Sequence, residues 1–324
     1  DVTGVQTCAL PIFIILGAGP AGLSAGIYAG RADLDTLIIE QALDGGQIAQ
    51  TASIENYPGQ IPEGESGTSL IERFTKQAEL FGVERAQDSV QSVELESDIK
   101  VIKGMMGTYK ARSVIIATGA SPRKGGFKNE DNYIGGGVSY CATCDGNFFK
   151  NFDVYVVGGG EAAVEEAMHL AKLARNVTII HRRDRLRAVE SVQNRAKKVK
   201  NLHYMLDSVV EEIDGDGILE KIKVRNVKSN EITVITKNPD DKLMGLFVFV
   251  GFIPNTNLFE GQIDMENGYI LTDEDMKTNI PGVFAAGDLR KKNFRQVITA
   301  ASDGAIASNS VRNYLARLEG TEYI

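Results

Sequence analysis

The feature that most constrains the fold is a pattern that occurs twice along the chain. Each copy has a short apolar run rich in β-branched residues, then a glycine-rich turn, then an Ala/Leu-rich segment with helical spacing. The first copy runs over residues 13–32 and the second over residues 154–174. This order is typical of the opening of a βαβ unit, in which the turn joins a parallel strand to the N-terminus of a helix. The sequence therefore predicts an α/β fold with two Rossmann-like dinucleotide-binding domains.

The two copies also keep the same spacing beyond their glycines. Gly17 and Gly158 open the turns and lie 158 − 17 = 141 positions apart. A second apolar strand follows each turn and ends at Glu40 in the first copy and at His181 in the second. Both ends lie 18 residues past the last position of the turn motif (40 − 22 and 181 − 163). Such self-similarity favours two related domains over two chance glycine turns.

Later segments indicate how the two domains are ordered. Each copy is closed by an apolar strand that ends in glycine, at residues 113–119 and 246–251, and a third such segment follows at residues 282–288. A chain that starts one domain, inserts a second and returns to the first accounts for this order. The predicted bounds are 13–120 and 249–324 for the discontinuous first domain and 121–248 for the inserted second domain.

The first twelve residues, DVTGVQTCALPI, resemble the translation of a sequencing adapter. We expect residues 1–12 to be an adapter-derived leader, and we exclude Cys8 from the chemistry. The stretch lacks the basic start, the long apolar core and the cleavage site of a secretory signal. Three cysteines in 324 residues also make no disulfide framework, so we expect a reducing, cytoplasmic compartment.

Composition argues against two classes of partner. The net charge of −8 disfavours a nucleic acid, because phosphate binding needs a basic surface. Aromatic residues make up only 7%, with no tryptophan, which disfavours stacking on single strands. The longest apolar runs, such as residues 246–250, are far too short to span a bilayer. We therefore expect neither a nucleic-acid partner nor a membrane span.

The first turn predicts dinucleotide binding. Gly17 permits the tight turn, Gly19 lets the backbone approach a pyrophosphate, and Gly22 lets the helix pack close to the strand. The helix that follows offers unpaired N–H groups and the positive end of its dipole to the phosphates. Glu40, at the end of the second strand, is placed to accept hydrogen bonds from ribose hydroxyls.

The second turn differs at the position of the acid. His181 stands there, followed by Arg182, Arg183 and, further on, Arg187. A carboxylate would repel a ribose 2′-phosphate, whereas guanidinium groups pair with it through charge-assisted hydrogen bonds. The cluster therefore predicts NADPH rather than NADH as the dinucleotide. The alternative is a solvated basic strand end with no ligand.

A pair of cysteines precedes the second turn. Cys141 and Cys144 are separated by two residues, and Asp145 follows directly. This spacing suits a redox dithiol, because the two sulfurs can form a close, reducible disulfide. Zinc would need four ligands, and the chain otherwise offers only Cys8 and three scattered histidines. Two inert core cysteines are a further alternative, and Asp145 is either an acid/base for the thiols or a helix or turn cap.

Taken together, these motifs resemble the NADPH-dependent thioredoxin reductases of the small bacterial type. The resemblance covers residues 13 to about 316, nearly all of the chain after the leader. The matching segments are residues 17–22, 45–47, 55–59, 117–119, 141–146, 181–184, 287–288 and 295–297. One departure is Ala162, where the family often has Ser or Thr and hence one more hydroxyl contact to the cofactor.

The resemblance implies FAD in the first domain, NADPH in the second, and a homodimer. The residues that it assigns to FAD are Gly17, Gly19, Pro20, Ala21, Gly22, Glu40, Gly46, Gln47, Asn56, Gly119, Gly287, Asp288, Arg295, Gln296 and Val297. Those that it assigns to NADPH are Gly159, Gly160, Glu161, His181, Arg182, Arg183 and Arg187.

By this resemblance the chain is a flavoprotein disulfide reductase that passes electrons from NADPH through FAD to oxidised thioredoxin or a thioredoxin-like protein. Cys144 would face the flavin, Cys141 would attack the partner's disulfide, and Asp145 would serve both thiols as acid and base. Because the dithiol lies in the inserted domain, we expect two domain orientations that alternate by a hinge near residues 120 and 248.

Two other functions are compatible with the same scaffold. A dithiol oxidase would pass electrons from thiols to oxygen, but it would not need Arg182 and Arg183. A non-catalytic flavoprotein would act as a redox-sensing binding module, but it would not need the complete Cys-x-x-Cys-Asp set. Anaerobic reduction of the flavin by NADPH, followed by its reoxidation with thioredoxin, distinguishes all three.

Overall fold

The computed structural model describes residues 13–50, 54, 56–61 and 64–321. The predicted leader lies outside the described residues, as does Glu55. The chain divides into two compact units: unit 1 is Asp1–Ser121 with Ile253–Ile324, and unit 2 is Pro122–Phe252. The sequence predicts domain boundaries after residues 120 and 248, and the boundaries between the two compact units lie after Ser121 and Phe252.

The described strands, in chain order, are β1 (Phe13–Leu16), β2 (Thr36–Glu40), β3 (Glu84–Gln87), β4 (Val90–Glu94), β5 (Lys100–Gly104), β6 (Thr108–Ala111), β7 (Ser113–Ile116), β8 (Ala120–Pro122), β9 (Val138–Ser139), β10 (Asp153–Gly158), β11 (Asn176–Ile180), β12 (Leu202–Met205), β13 (Ser208–Asp214), β14 (Lys221–Asn226), β15 (Ile232–Thr236), β16 (Gly245–Phe249), β17 (Phe252–Pro254), β18 (Met265–Glu266), β19 (Tyr269–Ile270) and β20 (Val283–Ala285). The helices are α1 (Pro20–Arg31), α2 (Gly67–Leu80), α3 (Ala142–Asp145), α4 (Glu161–Leu170), α5 (Glu190–Ala196) and α6 (Val297–Glu319). Short 3-10 helices lie at Gly46–Gln50, Glu130–Tyr133, Gly146–Phe149 and Asn257–Phe259.

The main sheet of unit 1 is parallel and has the strand order β20-β7-β1-β2-β3. Its central strand β1, Phe-Ile-Ile-Leu, is fully buried and pairs in parallel with β2 and β7. A continuous apolar run of this kind is typical of a parallel strand that is covered on both faces. Strands β4, β5 and β6 form an antiparallel sheet in the same unit. The carboxyl end of β1 leads directly into the first glycine turn.

Helices α1 and α6 pack closely against each other in the core of unit 1. A Cβ added at Gly304 of α6 would lie 2.0 Å from the carbonyl oxygen of Ala21 in α1. Ser24 Oγ donates to the carbonyl oxygen of Ala301 at 2.7 Å, again between the two helices. Small residues therefore let the start of α1 lie against the first turns of α6.

The main sheet of unit 2 is also parallel, with the strand order β12-β11-β10-β16-β9. Strand β10 pairs in parallel with β11 and β16, and its carboxyl end leads into the second glycine turn. Strands β13, β14 and β15 form an antiparallel sheet in this unit. Two parallel Rossmann-like sheets, the second carried by an inserted stretch of chain, confirm the predicted α/β fold.

Helix α4 begins and ends earlier than the helical pattern of residues 164–174 predicts. It begins at Glu161 and ends at Leu170, whose carbonyl oxygen accepts from the amides of both Leu173 and Ala174, at 2.9 and 2.8 Å. This tight turn carries the chain back to β11. Ala171 and Ala174 are buried although they lie past the helix, which explains why the apolar pattern extends beyond it.

Replacing Gly304 with Ala should destabilise the protein. At an exposed helical position this substitution stabilises by up to about 1 kcal/mol, because alanine has the higher helix propensity. Here the methyl group would meet the backbone of α1, so we expect a net loss of about 2–3 kcal/mol in the free energy of unfolding. Urea denaturation followed by circular dichroism measures the loss. Ser302→Ala, at an exposed position of the same helix, is the matched control, and equal effects of the two variants would contradict the close packing.

Candidate active site

The first glycine turn joins β1 to α1 through a close backbone contact. Gly17 has φ +105°, and its amide donates to the carbonyl oxygen of Ile39 at 2.8 Å. A Cβ at Gly22 would lie 1.9 Å from the carbonyl oxygen of Gly17, so only glycine lets the helix start this close to the strand. A Cβ at Gly19 would meet only the carbonyl oxygen of Gly45, at 3.9 Å. The backbone at Gly19 is therefore accessible to a pyrophosphate.

Helix α1 begins at Pro20, which suits a first helical position because its missing amide has no intrahelical partner there, and Ala21 follows it. Glu40 lies nearby, at the end of β2. Its carboxylate accepts from the amide of Ala18 at 2.8 Å and from that of Ala42 at 3.0 Å. Glu40 therefore fixes the turn itself, and acceptance from a ribose by its remaining lone pairs stays a prediction.

The loop of Gly287 and Asp288 lies against the same helix. Gly287 has φ +91°, and a Cβ there would lie 3.0 Å from the Cβ of Ala21. Asp288 Oδ1 is buried and forms no hydrogen bond with a described residue, and the nearest cation, Lys292 Nζ, lies 3.5 Å away. Burial raises the pKa of Asp288 against the opposing charges of Lys292 and Arg295. A buried carboxylate oxygen without a donor fits a ligand that carries hydroxyl groups, such as the ribityl chain of FAD.

The start of α6 lies beside Asp288. Arg295 Nε donates to the carbonyl oxygen of Asp288 at 3.1 Å, and its guanidinium lies 4.1 Å from the centre of the Tyr269 ring. Gln296 forms a capping box with Thr299, and Val297 is the first residue of the helix. The bond from Arg295 ties the segment before α6 to the loop.

Four further predicted FAD residues lie on neighbouring loops of unit 1. Asn56 Nδ2 donates to Gln296 Oε1 at 3.1 Å, which brings its loop to the start of α6. The amide of Gly45 donates to the carbonyl oxygen of Ala18 at 2.9 Å, and this places the next residues beside the first turn. Those residues, Gly46 and Gln47, are exposed at the start of a 3-10 helix, and Gly119 follows β7 with φ +64°.

The second glycine turn joins β10 to α4 under the same steric limit. Gly158 has φ +153°, and a Cβ there would lie 2.5 Å from the carbonyl oxygen of Phe249. Gly159 packs directly on the ring of His181, where a Cβ would lie 2.3 Å from Nδ1. Gly160 precedes α4, and Glu161 is its first residue. The turn therefore presents the N-terminus of α4 in the same way as the first turn presents that of α1.

His181 lies beneath this turn rather than at the surface. It is 7% exposed, and its Nε2 has no hydrogen-bond partner in the part of the chain that the structure describes. Burial lowers the pKa of His181, and the charges of Arg187, Arg183 and Arg182 lower it further, so the ring is neutral near pH 7. The arginines themselves are exposed, and their guanidinium groups form no ion pair with any described residue. They form a cationic surface beside the turn, where the amide of Arg187 donates to the carbonyl oxygen of Gly159 at 2.6 Å.

Cys141 and Cys144 form a disulfide at the start of α3, with their Cα atoms 5.3 Å apart. The Sγ of Cys141 accepts from the amide of Cys144 at 3.1 Å, and the amide of Cys141 donates to Ser139 Oγ at 3.0 Å. Cys144 is exposed and Cys141 is half-buried. The disulfide agrees with the redox interpretation of the motif, and not with two zinc ligands or two inert thiols.

Across the described residues, no group of three or more His, Cys, Asp or Glu side chains is placed to hold a metal ion. Within the same part of the chain, no helix has the length and apolar character needed to cross a membrane.

The chain is similar to known proteins over almost its whole length. The profile of the pyridine nucleotide-disulphide oxidoreductase family matches residues 12–304. A thioredoxin reductase of Peptoclostridium acidaminophilum is 52% identical over 302 residues, which is 93% of this chain and 96% of that protein. The thioredoxin reductase of Bacillus subtilis is 44% identical over 309 residues, 95% of this chain and 96% of that protein. The crystal structure of Lactococcus lactis thioredoxin reductase in its FR conformation superposes with a TM-score of 0.89 at 42% identity, covering 94% of this chain and 99% of that one.

The chain belongs to the bacterial low-molecular-weight thioredoxin reductases. Membership confirms the predicted family, fold and enzyme class, and it implies the predicted cofactors, FAD and NADPH. The disulfide of Cys141 and Cys144 supplies the redox centre that a disulfide reductase of this family requires.

Sequence reasoning missed one exposed aromatic residue of the reductase. Phe148 follows Asp145 by three residues and is 67% exposed, whereas its neighbour Phe149 is 5% exposed. Two adjacent phenylalanines in a 3-10 helix carry no periodic signal that tells which one faces solvent. Only the structure shows that the exposed ring is that of Phe148, which follows the disulfide closely in the sequence.

Glu166 of the reductase is a second residue that the pattern did not single out. It lies in α4, and its Oε2 is buried without a hydrogen-bond partner among the described residues. Burial, with a smaller contribution from the charge of Glu165, raises the pKa of Glu166 to about 7. The unfolded chain ionises near the ordinary value of 4.5, so the folded protein holds a proton that the unfolded chain loses. The contribution of Glu166 to the free energy of unfolding is therefore most favourable below pH 4.5 and falls as the pH rises to about 7.

Replacing Glu166 with Gln should remove this pH dependence, because glutamine has no proton to lose. At each pH, the free energy of unfolding of the variant is compared with that of the unchanged protein. We expect this difference to be about 1–3 kcal/mol more favourable to the variant at pH 8 than at pH 5. Urea denaturation at the two pH values measures the gain. Glu190→Gln, at an exposed position of unit 2, is the matched control. A shift that is the same at both pH values for Glu166→Gln would show that this carboxyl titrates normally.

Proposed function

We propose that this enzyme reduces the disulfide of thioredoxin, or of a thioredoxin-like protein, with electrons taken from NADPH. The observation that carries the proposal is the disulfide of Cys141 and Cys144 in the same unit as an arginine-flanked dinucleotide turn. Bound FAD would link the two by supplying the redox chemistry that carries an electron pair from NADPH to the disulfide. In sum, NADPH, a proton and the partner's disulfide give NADP⁺ and two thiols.

FAD is assigned to unit 1. The accessible backbone at Gly19 supports this assignment, and so does the buried Oδ1 of Asp288, which forms no hydrogen bond with a described residue. Helix α1 would direct its first amides to the pyrophosphate. Asp288 and the start of α6 would hold the ribityl chain, and Glu40 would accept from the ribose.

NADPH is assigned to unit 2. Arg182, Arg183 and Arg187 would bind the 2′-phosphate, because their guanidinium groups are exposed and engaged in no ion pair with described residues. His181 is neutral and its Nε2 lacks a partner in the described chain, so it suits a hydrogen bond to the nucleotide rather than a charge contact. Glu161 and the glycines before it would line the pyrophosphate.

The two sulfurs would have different roles. In the reduced dithiol, the amide of Cys144 would still donate toward the Sγ of Cys141, and such a bond favours the thiolate. This supports Cys141 as the nucleophile that attacks the partner's disulfide, and Cys144 as the sulfur that exchanges with the flavin. Asp145 is the N-cap of the 3-10 helix Gly146–Phe149, but its side chain forms no capping hydrogen bond there, so its carboxylate remains available to move the thiol proton. The exposed ring of Phe148 would give a protein partner an apolar contact.

Three further expectations belong to this proposal. A homodimer is supported by the resemblance to the family, and a cytoplasmic location by the absence of a disulfide framework among three cysteines. One flavin ring would have to receive a hydride from NADPH and then pass electrons to the disulfide. We therefore predict domain orientations that alternate between these two steps.

Replacing Arg182 and Arg183 together with Ala should impair the use of NADPH and spare the use of NADH. A charge-assisted contact to the 2′-phosphate is worth about 1.5–3 kcal/mol, and solvent around the exposed side chains reduces this value. We therefore expect kcat/KM for NADPH to fall about 10- to 100-fold in steady-state assays. The double variant Lys197→Ala/Lys198→Ala removes the same charge at the end of α5 and serves as control. Equal losses of kcat/KM with NADPH and NADH would contradict the assignment of these arginines to the 2′-phosphate.

Replacing Cys141 or Cys144 with Ser should abolish thioredoxin reduction but preserve bound FAD and its reduction by NADPH. Both sulfurs are needed for the disulfide, whereas the residues assigned to FAD all lie in unit 1. Anaerobic flavin absorbance and a thioredoxin-coupled assay follow the two half-reactions separately. Thr143→Ser leaves both sulfurs in place and is the matched control. Loss of flavin from the purified cysteine variants would indicate a structural role instead.

A further inference from the structure

A group of buried charges lies behind the Gly287 loop. Asp303 of α6 is 7% exposed, and its Oδ2 accepts from the amide of Gly287 at 3.0 Å and from Lys292 Nζ at 2.9 Å. Its Oδ1 pairs with a guanidinium nitrogen of Arg290, also at 2.9 Å. One carboxylate thus binds three donors, all of which belong to the loop of residues 287–292.

Stability of α6 alone does not account for this arrangement. Around Asp303, the helix presents small residues to the core, such as Ala300, Ala307 and Gly304. A carboxylate there loses its hydration, and a buried ion pair is seldom more stabilising than well-packed apolar residues of similar size. What the ion pairs do supply is a defined geometry, because each donor has to reach a fixed oxygen. The geometry that they define is that of the loop.

The same charges reach the Asp288 carboxylate. Lys292 Nζ, 2.9 Å from Asp303, is also 3.5 Å from Asp288 Oδ1, which is longer than a normal hydrogen bond. Lys292 therefore lies between the two carboxylates and offsets their mutual repulsion. Arg290 Nε donates to Thr272 Oγ1 at 2.8 Å, so the loop is also tied to the segment after β19. Two carboxylates and two cations form this group, with Asp288 at its edge, and the charge of Arg295 also acts on Asp288.

We propose that Asp303 is a positioning residue for the flavin: with Lys292 and Arg290 it holds the loop so that the Asp288 carboxylate stays in place to bind FAD. Asp303 does this without contacting the cofactor, since its oxygens are occupied by Gly287, Lys292 and Arg290. The proposal rests on the assignment of FAD to unit 1.

The test measures the affinity of the flavin-free protein for FAD, from the change in flavin fluorescence on binding. Asp303→Asn removes the charge but can still accept from the Gly287 amide, and Lys292→Met removes the cation between the carboxylates. We expect each variant to bind FAD about 10- to 100-fold more weakly. Asp264→Asn, which removes an exposed carboxylate of the same unit, should bind FAD normally. If Asp303→Asn does not fold, Lys292→Met decides alone.

Coupling to Asp288 separates positioning from a general structural role. Asp288→Asn should itself weaken FAD binding, and adding Asp303→Asn or Lys292→Met to it should cause less than about a threefold further loss. Full additivity would overturn the proposal, as would normal FAD affinity in the single variants at positions 303 and 292. Normal FAD affinity in Asp288→Asn would instead overturn the assignment of FAD to this loop, and the proposal with it.

Discussion

The binding sites depend on how closely a helix can begin beside the strand that precedes it. At the first turn a Cβ on Gly22 would lie 1.9 Å from the carbonyl oxygen of Gly17, a distance that only glycine avoids. The close start places the first amides of α1 at the carboxyl end of β1, where a pyrophosphate can reach them. The second turn meets the same limit, with Gly158 against the carbonyl oxygen of Phe249.

The two units share the same backbone arrangement, but the charges at the end of the second strand have opposite signs. In unit 1 the second strand ends in Glu40, whose carboxylate accepts from two backbone amides of its own turn. In unit 2 the equivalent residue is His181, which is neutral and buried beneath Gly159, and the exposed charges beside it are arginines. A carboxylate at this position suits ribose hydroxyls, whereas guanidinium groups suit a phosphate. We therefore propose that this one residue position distinguishes the two nucleotides, although the scaffold is repeated.

Two buried carboxyl groups show how the fold treats charge away from water. The Asp303 carboxylate accepts from three donors of a single loop, and these bonds fix the geometry of that loop. Glu166 Oε2 meets no donor in the described chain, so that group keeps its proton up to about pH 7. Desolvation acts on both, and only the presence of converging donors distinguishes the outcomes.

The sequence by itself determined the local parts: the two strand–turn–helix openings, the cysteine pair, and the exchange of Glu40 for His181. Steric limits and hydrogen bonds between residues close in the chain set these features, so the order of residues records them. The same patterns extended α4 too far. Ala171 and Ala174 are buried in the core and so continue the apolar pattern, although the helix ends at Leu170. Only the tertiary structure decided that Asp303 serves the Gly287 loop. Its burial and charge pairing come from segments that the fold brings together, and desolvation by distant neighbours leaves no spacing in the sequence.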